Sequence, residues 1–349
     1  LPRVDGNEVS CAREKGARNN TSRARRIGQM SSKKTKSLIK GFERKNRASL
    51  AQILTLAEKN SREDQRELAC LFAKARGIKK TGITGPPGAG KSTLINRLIS
   101  LYRQKQKTVA CVLVDPSSPI SGGAVLGDRI RMQEHFLDQG VFLRSVASQC
   151  EPGGLCRAAI EMALLLDAFG MDEIIIETVG VGQSEIEVAG IAETVLVVLT
   201  PEAGDAVQVL KAGLLEVGDI FVVNKADRPG AQALYYELAS MFEDYYSAGE
   251  RKKVLMVSAM ENKGIDELAN AIDEHREHLD RTGQDGRRDL RRRHLLELVV
   301  SEFRDELERK LLKEHPELIE QVCSAALSPH QAMEKLEKFL KSLLKSKHR

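Results

Sequence analysis

The chain has 349 residues, with Lys+Arg 54 against Asp+Glu 49 for a formal charge of +5, and it is 42% hydrophobic, 30% charged and 4% aromatic with no Trp. That length suits one large α/β domain with helical additions, or two domains, around an aliphatic core. The near balance of charge argues against a nucleic-acid-binding core, and no apolar run approaches the ~20 residues that cross a bilayer, so neither nucleic acid nor membrane is an expected partner.

Residues 1–36 are rich in Arg and Lys, lack apolar periodicity, and read as a disordered basic leader. An organelle transit segment, which would place the protein in a mitochondrial matrix instead of the cytoplasm, shares that Arg- and Ser-containing composition but not Asp5, Glu8 and Glu14. Residues 37–78 then show helical spacing, with Leu50, Ile53, Leu54 and Ala57 on one stripe and Leu68, Leu71, Phe72 and Ala75 on another, which predicts an N-terminal helical hairpin.

From 79 to 283, short apolar runs alternate with helical stretches, the pattern of an α/β fold with a mostly parallel sheet covered by helices on both faces. Thr81, Ile83 and Thr84 form the first strand. Gly85, Pro86, Pro87, Gly88, Ala89, Gly90, Lys91 and Ser92 follow, a full match to G-x-x-x-x-G-K-[ST], and Thr93, Leu94, Ile95 and Leu98 continue as a helix. The glycines permit backbone conformations in which successive N–H groups surround phosphate oxygens, Lys91 supplies a charge to the outer phosphates, and Ser92 a hydroxyl to Mg2+.

Further strands are expected at Val109–Val114, Val141–Val146, Glu173–Glu177, Val195–Leu199, Ile220–Val223 and Val254–Val257. Ligands of such sheets bind beyond the carboxyl ends of the strands, so Asp115, Glu177, Asn224 and Ser258 should converge on the glycine-rich loop. Asn224, Lys225 and Asp227 form N-K-x-D: a carboxylate at 227 can accept from both the N1–H and the exocyclic amine of guanine, a donor pair adenine lacks, and leaving it buried without a partner rejects the wrong base. With Ser258, Ala259 and Met260 at another strand end, the expected ligands are GTP and GDP. Asp115, Asp128 and Glu177 are the candidate carboxylates for Mg2+ beside Ser92, and Gly180 is placed to donate its N–H to a γ-phosphate. Six cysteines without a C-x-x-C pair fit free thiols in a reducing compartment. Cys150 and Cys156, with His135, are separated wrongly for a closed zinc site.

From 284 to 349 the pattern is wholly helical. Leu296, Val300, Phe303, Leu307 and Leu311 make one apolar stripe, Ser328, Pro329 and Gln331 a helix start, and Ala332, Leu336, Phe339 and Leu343 a second stripe. The segment reads either as a cover on the chain's own sheet or as a dimerisation arm.

Taken together, GPPGAGKST, VDPSSPISGGAVLGDRIRM, ETVGVGQSE, GDAVQVLKAG and NKADRPGA resemble the MeaB/ArgK family of P-loop GTPases over about Gly41 to Leu343. The resemblance implies a slow, Mg2+-dependent GTPase, usually a homodimer, that gates adenosylcobalamin delivery to a B12-dependent acyl-CoA mutase such as methylmalonyl-CoA mutase and protects that mutase. It implies magnesium and switch positions at Ser92, Asp115, Asp128 and Glu177 and a third switch loop at Gly204, Asp205, Gln208 and Lys211; with the charge of Lys91 and the N–H of Gly180, the expected catalytic set is Lys91, Glu177, Gly180 and Lys211. The sequence departs from the family pattern at 148–152 and at Ala206 and Val207, away from the phosphate loop. A GTPase metallochaperone for another metal centre, and the transport-system kinase role of the older family label, are the alternatives.

Overall fold

The computed structural model describes residues 35–59, 62–78, 80–116, 132, 134–148, 157–178, 188–202, 213–245, 252–282, 286–328 and 330–337. Seven strands, β1 (Lys80–Thr84), β2 (Val109–Pro116), β3 (Val141–Ser148), β4 (Glu173–Thr178), β5 (Thr194–Leu199), β6 (Ile220–Val223) and β7 (Lys253–Met256), form a single sheet in the order β3-β2-β4-β1-β5-β6-β7. Every adjacent pair is parallel. All seven predicted strands are present, with ends shifted by one or two residues, as expected where the last ladder bonds give way to turns. β1 lies at the centre, and its Ile83 is level with Glu177 on one side and Leu196 on the other.

Strand periodicity of two divides the apolar residues between two cores. Cys111, Leu113, Ile175, Leu196, Val198 and Val222 face a cluster with α4 (Lys91–Gln104). Their neighbours Ala110, Val112, Ile174, Val197 and Val223 face the opposite cluster, which contains α5 (Arg157–Phe169). Helices therefore cover both faces, and the strands read as continuous Val/Ile/Leu runs because both sides are buried. Each fully buried Leu or Ile contributes roughly 1.5–3 kcal/mol relative to exposure. A short helix α6 (Leu214–Val217), then α7 (Ala231–Tyr245) and α8 (Ile265–Thr282), complete the layers.

The N-terminal helices belong to the α5-side core. The predicted pair is there as α2 (Arg47–Lys59) and α3 (Arg62–Phe72), with Leu50, Ile53, Leu54, Leu68 and Leu71 fully buried. An additional helix over 35–43, α1, precedes them. Its apolar residues Leu38, Ile39 and Phe42 stand in a lysine-rich stretch too short to show a period, yet Phe42 is buried and packs edge-on to Phe169 of α5, ring centroids 5.1 Å apart. The side chain of Arg47 donates to the carbonyls of Gln139 and Val141, and Arg144 pairs with Glu58 at 2.6 Å, so β3 is held to α2 by charge as well as packing. The link from α3 to β1 is fixed by Asp167 of α5, fully buried, which accepts the backbone N–H groups of Arg76, Gly77 and Ile78 at 3.1, 2.7 and 3.1 Å. Three such bonds offset the cost of burying a carboxylate.

Residues 291–349 separate as a second compact unit. Within it the end of α9 (Gly286–Glu314), α10 (Pro316–Cys323) and α11 (330–337) enclose Leu318, Ala332 and Leu336, with Leu311, Val322 and Leu327 packed around them. Ser328 and Gln331 exchange hydrogen bonds, Gln331 N–H to the Ser328 hydroxyl at 3.3 Å and Ser328 N–H to Gln331 Oε1 at 3.1 Å, which is the predicted capping box. The predicted stripe on α9 divides: Leu311 joins this small core, whereas Leu296 and Val300, with Leu295 and Val299, are more than half exposed. Phe339 and Leu343 lie outside the described residues. Among the described residues no helix is long and apolar enough to cross a membrane.

Candidate nucleotide site

The chain leaves the centre of the sheet at Thr84 and must turn directly into α4, and two glycines make that turn possible. Gly85 has φ 138°, and a Cβ there would sit 2.1 Å from the carbonyl oxygen of Val198 in β5. Gly90, the residue before α4, has φ 85°, and a Cβ there would meet Asn224 Nδ2 at 2.4 Å. No side chain caps α4 and its first turn carries no acidic residue, so its N-terminal N–H groups and the positive end of its dipole are left to the loop. Lys91 is buried, and its ammonium donates to the carbonyls of Gly85 at 2.7 Å and Pro86 at 3.1 Å, which draws the charge across the loop.

Ser92 and Glu177 meet at the floor of this loop. The Ser92 hydroxyl donates to Glu177 Oε1 at 2.9 Å, and both residues are buried. Beside them Thr178 and Thr84 share a hydrogen bond of 3.0 Å. A buried hydroxyl and carboxylate at the start of the helix are hard oxygen donors, the set that suits Mg2+ rather than a soft metal. Behind Glu177, burial first and the Glu177 charge second push the Cys111 thiol well above its ordinary value, so it is an inert core residue.

The N-K-x-D residues follow β6. Asn224 is buried and bridges two loops, donating to the Ala89 carbonyl at 2.8 Å and accepting from Ala259 N–H at 3.2 Å. It thus fastens the phosphate loop to the strand end at Ser258. Lys225 takes φ 56°, unusual for a residue with a side chain, and its ammonium binds Glu202 Oε2 at 2.8 Å. Asp227 accepts the Ser258 hydroxyl at 2.6 Å. That bond, ahead of the backbone and lysine contributions, holds its carboxyl below the usual carboxylate range, so Asp227 is ionised at neutral pH. The N-K-x-D pattern predicts a buried carboxylate, but Asp227 is exposed to solvent: the desolvation penalty for a mismatched base arises only once a base covers it.

One cavity of about 600 Å³ joins these parts, within the usual range for small-molecule sites. Pro87, Gly88, Gly90, Lys91, Ser92 and Thr93 line it on the loop side, Glu177 at the floor, and Asn224, Lys225, Asp227, Ala259 and Met260 around the base motif. Gly85, Pro86, Ala89 and Ser258 do not line it and act by shaping the loop or by bonding residues that do. The backbone of Asp115 stands at the end of β2, one residue past the Val114–Thr178 pair, and nothing is described of its side chain. Asp128, Gly180, Gly204, Asp205, Gln208 and Lys211 lie outside the described residues, as do Cys150 and Cys156. His135 is buried with Nε2 3.3 Å from the Asn96 carbonyl, and no group of three or more His, Cys, Asp or Glu able to hold a metal occurs among the described residues.

Four participants escape the sequence reading. Thr178 and Arg228 line the cavity, Arg97 donates to the Ala259 carbonyl at 2.9 Å, and Glu202 binds both Lys225 and Arg228. Thr178 follows Glu177 at a strand end and Arg228 follows Asp227, so adjacency could have found those two. Glu202 and Arg97 carry no local signal, since their partners are distant in the chain.

Comparison with known proteins agrees with this geometry. The family profile described as "Methylmalonyl Co-A mutase-associated GTPase MeaB" matches residues 50–315. A protein of Pyrococcus abyssi named "Putative GTPase PYRAB02490" is 40% identical over 308 residues, 86% of this chain and 95% of its own length. The mouse "Methylmalonic aciduria type A homolog, mitochondrial" is 32% identical over 333 residues, 87% of this chain and 79% of its own. Among solved structures, a "LAO/AO transport system kinase" shares the fold with a TM-score of 0.63 and 27% identity, covering 88% of this chain and 97% of that one.

Proposed function

Because the chain belongs to the family of MeaB-type, methylmalonyl-CoA mutase-associated P-loop GTPases, we propose that its GTPase cycle gates adenosylcobalamin delivery to a B12-dependent acyl-CoA mutase and protects that mutase from inactivation. The observation that carries the nucleotide part of this reading is the single cavity shared by the phosphate loop, the Ser92–Glu177 pair and the base motif.

In that cavity the loop amides and the N-terminus of α4 hold the phosphate oxygens, and Lys91 offsets the charge that accumulates on the transferred phosphoryl group. Asp227 accepts the guanine N1–H and amine, while Asn224 keeps the base and phosphate subsites in register through Ala89 and Ala259. Ser92 and Glu177 would hold Mg2+, which when bound withdraws charge from the outer phosphates. Asp115, Asp128, Gly180 and Lys211 complete the metal and switch machinery in this reading. Turnover without a partner is slow in this reading, because the described residues of the cavity position the nucleotide and neutralise its charge, while orienting the attacking water falls to a residue near Gly180.

The exposed apolar stretch of α9, Leu295, Leu296, Val299 and Val300, supports the C-terminal segment as a dimerisation arm and the protein as a homodimer. The protein would work in whichever compartment holds the mutase, cytoplasm or mitochondrial matrix.

The test is GTP hydrolysis with and without purified B12-dependent acyl-CoA mutases, together with pull-downs of the mutase in GTP, GDP and nucleotide-free states. Acceleration by one mutase and nucleotide-dependent capture are expected; identical capture in all three states would remove the switch. Separately, Asp227→Asn should lower GTP affinity about 100-fold and raise affinity for xanthosine triphosphate, whose ring carries a carbonyl in place of the amine, as measured by competition binding. Unchanged preference for GTP would show that Asp227 does not read the base.

A further inference from the structure

The base-reading loop is held from one side by a residue that the guanine motif does not contain. Glu202 stands at the carboxyl end of β5, three residues past Leu199, and its two carboxylate oxygens reach two different cations. Oε2 accepts from Lys225 Nζ at 2.8 Å, and Oε1 pairs with Arg228 Nη1. Both cations line the nucleotide cavity, on either side of Asp227 in the chain, whereas Glu202 itself does not line it. The loop they sit on is not a relaxed turn: Lys225 is left-handed at φ 56°, Gly230 at φ 90°, and a Cβ on Gly230 would touch Pro201 Cβ at 3.3 Å. Backbone bonds fasten the inner side of this loop, Ala226 N–H to the Val257 carbonyl and Arg228 N–H to the Lys225 carbonyl. Its outer side carries two long cationic side chains, which would otherwise sample many rotamers across the cavity mouth.

We propose that Glu202 is a positioning residue for nucleotide selection: its carboxylate clamps Lys225 and Arg228 together and thereby sets the angle at which Asp227 meets the base. The clamp rests on the reading of Asp227 as the guanine acceptor. The stem of Lys225, drawn toward Glu202, offers a flat methylene wall for a purine, and Arg228 is kept from folding onto the Asp227 carboxylate, where it would compete with guanine. A single carboxylate shared by two cations is also screened by salt, since all three side chains are partly exposed.

The experiment compares wild type with Glu202→Gln, which keeps shape and removes charge, in binding GTP, inosine triphosphate and GDP. Inosine triphosphate lacks the exocyclic amine, so the ratio of GTP to inosine triphosphate affinity reports how well Asp227 is aimed. The expected result is a fall of that ratio by about three- to tenfold, the range that shared surface ion pairs support, with an unchanged melting temperature. Arg228→Ala should lower the ratio in wild type and add nothing in the Glu202→Gln background. Raising KCl toward ~1 M, where the Debye length falls to about 3 Å, should bring the wild-type ratio down to that of Glu202→Gln. A ratio within twofold of wild type in Glu202→Gln, or additive losses in the double variant, would overturn the clamp. If wild type itself shows no preference for GTP over inosine triphosphate, it is the guanine reading of Asp227 that fails.

Discussion

Lys91→Met is expected to lower the GTP hydrolysis rate by at least 100-fold while leaving the protein folded. In the proposed cycle the ammonium is the cation that the glycine-rich loop offers the outer phosphates; it bonds the carbonyls of Gly85 and Pro86 and lines the cavity. Removing a donor aimed at the charge that develops during phosphoryl transfer costs about 2.7–4 kcal/mol of barrier, or 100- to 1,000-fold in rate. The substitution keeps most of the buried aliphatic volume but leaves the buried Gly85 and Pro86 carbonyls without this donor, at a cost of about 1–3 kcal/mol, so the melting temperature should fall by a few degrees with the fold retained. Single-turnover phosphate release and a thermal melt on the same preparation check both halves. Hydrolysis within tenfold of wild type would mean that another cation serves the outer phosphates.

Gly85→Ala should be the most damaging single methyl among the described glycines. Its Cβ would lie 2.1 Å from the Val198 carbonyl oxygen, a backbone atom of a central strand that cannot swing aside, and φ at 138° is strained for any residue with a side chain. Relief requires either β1 to part from β5 or the loop to lift off the sheet. The combined strain and overlap is about 3–4 kcal/mol, and a loop that shifts by even 1 Å no longer aims its amides at phosphate. Denaturant unfolding should show the loss directly, and GDP affinity should fall more than tenfold even at temperatures where the variant is folded. Gly88→Ala is the matched control for crowding, since its Cβ meets nothing within 4 Å although its φ of 78° is also left-handed. Equal losses in the two variants would assign the effect to backbone strain alone.

Much of the phosphate end of the site was legible because its chemistry is local. The loop from Gly85 to Ser92 is one continuous stretch whose three glycines all take positive φ within the turn, and its Lys91 and Ser92 begin the helix it leads into. Glu177 was found as a strand-end carboxylate, and the structure brings it to Ser92 at 2.9 Å across 85 positions of chain. The base end was legible in identity and less so in state. The N-K-x-D spacing picks out Asn224, Lys225 and Asp227, but the exposure of Asp227 and the role of Asn224 as a tie between Ala89 and Ala259 depend on loops far apart in sequence. α1 is not legible in the sequence because three apolar residues among lysines show no period, and its stability comes from Phe42 meeting Phe169 rather than from its own propensity.

By itself the sequence determined the seven strands and most of the helices, and pointed to a phosphate loop and a guanine motif, because alternation, helical spacing and the conformational demands of glycine all act within a few neighbouring residues. Only the tertiary structure decided the strand order that sets β1 between β4 and β5, the burial of the N-terminal helices against α5, the division of the α9 stripe into a packed half and an exposed half, and the hold of Glu202 on Lys225 and Arg228. An apolar stripe states how much surface must leave water and not which surface covers it, and a lone carboxylate in a loop has no meaning until folding sets its partners beside it.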